Sequence, residues 1–147
     1  MAFSRVVLDA SVTIEWFLPG TAAASAYAAD VLRSIEVREL LPIVPDLWHY
    51  EVGSVLVAAK RKRQLSEKRL KEAAEQLAQL HPFTINTRLT ESDVIAKSAA
   101  FHLQGYDAVY FDLASRLNVA IAATDGGIRT AARTHGVRLW KPMSLSS

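Results

Sequence analysis

The sequence contains no cysteine. That excludes a disulfide scaffold, a thiolate metal site and a cysteine nucleophile, and it gives no sign of an oxidising compartment. Glycine is scarce at six residues and proline at five, so collagen-like and low-complexity classes are excluded. An excess of one charge is missing too, since 17 Lys and Arg against 15 Asp and Glu leave a formal net charge of +2. No acidic or basic tail is present. Uncharged apolar runs of the roughly 18 residues a membrane helix needs are also absent, and the apolar start is interrupted by Arg5, Asp9 and Glu15. The expectation is a protein without membrane span or signal peptide, cytoplasmic by default.

What is present is a chain of 147 residues, half apolar and 22% charged. Surface scaling expects such a chain to bury about two thirds of its unfolded surface, so one domain over 1–147 is expected. Neither an internal repeat nor a linker divides it. Five short apolar runs read as strands, at 5–8, 41–44, 83–86, 119–123 and 137–140. Helical patterns lie between them at 11–18, 21–36, 47–63, 66–80, 91–103, 108–117 and 128–134. Alternation of this kind predicts an α/β sheet. Asp46 offers an N-cap for the third helix, Thr90 to Asp93 reads as a capping box, and Gly105 and Gly136 stand where helices should end. Leu70, Ala73, Ala74, Leu77 and Leu80 form an apolar stripe of core or interface on the fourth helix.

Acidic residues belong on solvent faces unless something recruits them, and four depart from that rule. Asp9 directly follows the first strand and Asp125 follows the fourth, which puts both at carboxyl ends, the edge where open α/β sheets bind ligands. If those strands are neighbours, about 4.8 Å apart, the two carboxylates reach one cation. Glu51 and Asp107 fall on the flanks of the apolar stripes of their helices, whereas Asp112 points to the opposite face of its helix. Each acid also has an ordinary reading: a helix cap for Asp107, a turn for Asp125 before two glycines, an ion pair for Glu51. Asp9 fits an ordinary reading least well. Four carboxylates approaching one point must protonate or capture a cation, and an oxygen-only donor set suits Mg²⁺ or Mn²⁺, which serve phosphoryl transfer.

With these residues in place the chain resembles the PIN domain, and within it the VapC-type ribonuclease toxins of toxin-antitoxin pairs. The likeness runs the whole chain through Val7–Val12, Pro45–Glu51, Tyr106–Ala108 and Ala123–Asp125. It implies a single-domain five-stranded parallel sheet in the order 3-2-1-4-5 with helices on both faces. It also implies that Asp9, Glu51, Asp107 and Asp125 form a catalytic metal site for Mg²⁺, with Mn²⁺ able to substitute. Ser11 and Thr124 match small hydroxyl residues that hold water or orient a carboxylate, and Asp112 matches a position often acidic in relatives. The implied activity is metal-dependent endoribonuclease hydrolysis of RNA, leaving a 5′-phosphate and a 3′-hydroxyl. Implied partners are RNA, a cognate antitoxin and a second copy of the chain, with Trp16, Phe17 and the fourth helix as dimer candidates. A non-catalytic PIN-fold module that binds RNA or protein is the alternative, and a small-molecule phosphatase is a third.

Lys60, Arg61, Lys62 and Arg63 close the third helix, where cations favoured by the helix dipole are commonly just solvated. A contact to RNA phosphates is the functional reading for them, and for Arg129 and Arg133. His49, His81, His102 and His135 show no metal spacing. Dinucleotide and P-loop glycine motifs are missing, and Ser11 stands where a dehalogenase-type phosphatase needs its second aspartate.

Overall fold

The computed structural model describes residues 3–142. Its elements are β1 (Ser4–Leu8), α1 (Ala10–Glu15), α2 (Ala22–Glu36), β2 (Leu40–Pro45), α3 (Leu47–Arg61), α4 (Glu67–Ala78), β3 (Phe83–Ile85), α5 (Glu91–Phe101), α6 (Gly105–Leu117), β4 (Ala120–Ala122) and α7 (Gly126–His135). The apolar runs of β1 and β4 are buried from Val6 to Leu8 and from Ala120 to Ala122. A parallel sheet covered on both faces demands such continuous apolarity.

All pairings are parallel, in the order β3-β2-β1-β4. Val6, Val7 and Leu8 pair with Ala120, Ile121 and Ala122, so the strand that ends at Asp9 and the one that leads to Asp125 are neighbours. β1 thus lies between β2 and β4, which places the topological switch of the sheet beside Asp9.

The expected fifth strand is corrected. Over 137–140 only Leu139 pairs, with Ile121, through Ile121 N–H to the Arg138 carbonyl at 2.9 Å and Trp140 N–H to the Ile121 carbonyl at 2.8 Å. The segment occupies the place beside β4 that the order 3-2-1-4-5 assigns, but as a single bridge. β4 has three residues to pair with, and Pro142 brings no N–H to lengthen a ladder.

Several boundaries also differ from expectation, and α1 closes at Glu15 rather than at residue 18. α5 ends at His102 in the left-handed region (φ 55°), and Gly105 opens α6 rather than closing α5. Asp46 makes no cap bond to α3; its carboxylate accepts instead from Thr87 N–H and Oγ1 at 3.4 Å. The Thr90–Asp93 capping box and the left-handed Gly136 (φ 71°) closing α7 are as expected. Most of the α4 stripe is core: Ala73 is buried, and Leu70, Leu77 and Leu80 pack against the central cluster, whereas Ala74 is exposed. Trp48 clamps α3 to α1 by donating its indole N–H to the buried Thr13 hydroxyl at 3.2 Å. Trp16 donates to the Ala28 carbonyl at 2.8 Å, which seats this dimer candidate against α2 of its own chain. Among the described residues no helix is long and apolar enough to cross a membrane.

Candidate active site at the carboxyl edge of the sheet

Asp9 sits where β1 turns straight into α1. Its Oδ2 caps that helix by accepting from Ser11 N–H at 3.0 Å, and its own N–H donates to the Ala122 carbonyl at 3.0 Å, fastening it to β4. Only 3% of its surface is exposed. Asp125 repeats the arrangement one strand over, with Oδ2 accepting from Ile128 N–H at 2.9 Å as the N-cap of α7. A Cβ on Gly127 would come within 3.1 Å of that oxygen, so glycine makes room for the capping carboxylate. Ser11 Oγ accepts from Thr124 N–H at 3.1 Å and ties the two turns together. Thr124 thus enters through its backbone.

Glu51, half-buried on α3, accepts at Oε1 from the Tyr110 hydroxyl at 2.8 Å. Asp107, half-buried in the first turn of α6, has no hydrogen-bond partner among the described residues. Tyr110 is fully buried and was legible in the sequence only as part of the apolar stripe of α6. Its place three residues after Asp107, on the same helix face, was the available signal.

Charge links the four carboxylates through Asp107, which feels Asp125 and Glu51 and in turn acts on Asp9. Burial pushes Asp9 up to about 7, against the hydrogen bonds from Ser11, and the charges of Asp107 and Glu51 push the same way. Asp107 rises to about 6, chiefly by burial and then through Asp125 and Glu51. Glu51 is also raised by burial, held back by the Tyr110 hydroxyl. Tyr110 itself is raised, first by burial and then by Glu51, Asp9 and Asp107. Among the described residues none of the four has a cation within salt-bridge distance.

Asp112 shows what a buried carboxylate of this chain otherwise requires. At 4% exposure it is held by Lys97 Nζ at 2.8 Å and Arg116 Nε at 2.7 Å. Those cations answer its charge, and it stands apart from the quartet. Replacing Asp112 by Ala is expected to lower unfolding stability by about 2 kcal/mol, because the half-exposed Arg116 regains water while Lys97 loses its partner. Chemical denaturation measures this, and the thermal shift with Mn²⁺ should match wild type.

The donor set fits a hard divalent ion: oxygen atoms only, no neutralising cation, and one oxygen each of Asp9, Asp125 and Glu51 beyond the one engaged in a hydrogen bond. Among the described residues, no three acidic or imidazole side chains already converge in a metal-holding arrangement. Mutual repulsion, rather than preset coordination, is what joins the four.

The basic candidates lie elsewhere. Lys60, Arg61, Lys62 and Arg63 are exposed at the end of α3, where Gln64 N–H bonds the Ala59 carbonyl and Arg63 N–H the Lys60 carbonyl in a Schellman closure. Lys60 is about 14 Å along the helix from Glu51. Arg129 donates from Nε to the Ala123 carbonyl at 2.9 Å and lies 4.7 Å over the Tyr27 ring, which makes it a brace between α7, β4 and α2.

No family model matches the chain, and no curated protein matches it. Among solved structures, the crystal structure of PAE2754 from Pyrobaculum aerophilum is similar over 89% of this chain and 86% of that chain, with a TM-score of 0.55 at 18% identity. That likeness supports the fold.

Proposed function

We propose that the protein is a Mg²⁺-dependent endoribonuclease of PIN type, the toxin half of a VapBC-type pair. The reading is supported above all by four mutually repelling, unpaired carboxylates at the switch point of a parallel sheet, in a chain that neutralises its other buried acid with two cations. A fold does not tolerate such a cluster without a use for it.

Asp9 and Asp107 are the residues to hold the ion, with Asp125 completing the charge. Bound Mg²⁺ supplies charge neutralisation at a phosphodiester and acidifies a water. Glu51, oriented by the Tyr110 hydroxyl, is placed to hold the attacking water and accept its proton. Ser11 keeps the Asp9 and Thr124 turns in register. An antitoxin, a homodimer and a cytoplasmic setting belong to the same proposal.

RNA cleavage by the purified protein is expected to require Mg²⁺, to stop on chelation and in Asp107→Asn, and to exceed hydrolysis of a generic phosphomonoester. Cleavage that persists in the chelator overturns the reading. One observation favours the alternative of a non-catalytic module, namely that among the described residues no three ligands are preset for an ion. A calorimetric titration without Mn²⁺ binding at millimolar concentration would support that module.

A further inference from the structure

A groove of about 770 Å³ lies away from the acids. It lies at the amino ends of β1 and β4, where Ser4 and Arg5 begin β1, Val119 and Ala120 lead into β4, and the 137–141 segment forms a wall. Arg5 is about 13 Å along β1 from Asp9. Five cations line this groove: Arg5, Arg129, Arg133, Arg138 and Lys141. Lining carboxylates are absent among the described residues, and none of the five takes part in an ion pair there. Glu39 lines only the adjoining hollow, which shares Ser4, Trp140 and Lys141 with the groove.

Arg5, Arg133, Arg138 and Lys141 are exposed to water, and gathered without a counter-charge they make the groove attractive to an anion. Four of the five cations are free of structural duty: Arg133 makes one exposed hydrogen bond, to Thr130 at 3.3 Å, and Arg129 alone is committed as a brace. Two aromatic rings stand among them, Phe3 at 58% exposure and the half-buried Trp140. Cations that track a backbone, with rings on which bases stack, are the combination that binds single strands; a free phosphate has no use for the rings.

We propose that this groove is a separate binding site for single-stranded nucleic acid, gripping its phosphates at the edge of the sheet opposite the acids. It stands on the groove alone and does not need the nuclease reading. Arg5, Arg133, Arg138 and Lys141 hold phosphates and Phe3 carries a base. A strand held here is presented to the protein without contributing to the chemistry at the acids.

The test is fluorescence anisotropy of a labelled single-stranded RNA of about 12 nucleotides with the full chain in excess EDTA, so that binding is read without cleavage. Arg133→Glu with Arg138→Glu is expected to weaken binding at least tenfold, as roughly two lost phosphate contacts should, and to lower the salt slope by about 1.4. Lys68→Glu with Lys71→Glu, at exposed positions of α4, is expected to stay within about twofold of wild type, since those side chains lie outside the groove. Phe3→Ala should weaken RNA binding and leave the salt slope unchanged. If the double variant fails to fold by circular dichroism, Arg138→Gln, at an exposed side chain, replaces it with an expected loss of about threefold. No binding by wild type, or equal binding by wild type and the groove variants, overturns the proposal. So does displacement of the RNA by inorganic phosphate at micromolar concentration, which would make this a free-anion site. Binding retained in a protein that never cleaves RNA would sink the nuclease reading and leave the groove standing.

Discussion

Replacing Asp9 by Asn is expected to reduce Mg²⁺-dependent RNA cleavage by about 10³-fold, the scale of losing one preorganised charged group at a reaction centre. The same change is expected to make the protein more stable at pH 8. Asn accepts the Ser11 N–H as well as Asp does, so the cap on α1 and its link to β4 survive. What disappears is a buried negative charge beside Asp107 and Glu51, with no cation to answer it. The expected gain is about 2 kcal/mol, smaller than the whole penalty because the new amide must also be satisfied. Urea unfolding at pH 8 beside a cleavage assay measures both halves. Loss of stability together with loss of activity would mark Asp9 as a structural cap, and the metal-site reading would fail with it.

Raising the pH is expected to destabilise the ion-free protein. An acid whose pKa is higher folded than unfolded binds more protons in the native state at every pH between the two values, so stability falls as pH rises through that window and then levels off. For Asp9 the window runs from 3.8 to about 7, and for Asp107 from 3.8 to about 6. Between pH 5 and pH 8 the buried Asp9 alone contributes a loss on the order of 3 kcal/mol. Asp107 adds less, because it is half open to water that screens it. Exposed Asp93, with its pKa lowered by the Thr90 hydrogen bonds, changes charge only at or below its ordinary 3.8 and adds nothing across this range, whereas Glu51, raised by burial, adds in the same sense as Asp9, so the cleaner quantity is wild type minus Asp9→Asn. A flat difference across the range would overturn the burial argument. At pH 8, above the raised pKa values of Asp9 and Asp107, Mn²⁺ should recover the loss through binding linkage and raise Tm in wild type more than in Asp107→Asn. Equal shifts would show that the two acids do not share an ion.

Asp9 and Asp125 were legible because each directly follows an apolar run, and position on a strand end is a property of the chain order. Glu51 and Asp107 were legible only through helical phase, which puts them beside a buried stripe without saying what lies across from them. The role of Tyr110 was hidden for that reason: its ring belongs to the buried stripe, and only the packing of α6 against α3 brings its hydroxyl to Glu51. Asp112 illustrates the converse. Its phase away from the site was readable, but its partner Lys97 lies on α5, beyond what spacing on one helix reveals.

The sequence by itself determined the alternation of strands and helices, the single domain, and which acids sit at element ends. These follow from local periodicity and from the absence of cysteine, repeats and long apolar runs. Only the tertiary structure decided that β1 and β4 are neighbours, that the last segment makes one bridge instead of a strand, and that Asp9 is unpaired while Asp112 is paired twice. It also gathered Arg5, at the start of the chain, with Arg133, Arg138 and Lys141 near its end. Charge acts through space, so a chain whose total is +2 can hold an acid cluster at one edge of its sheet and a basic groove at the other, and the fold alone separates them.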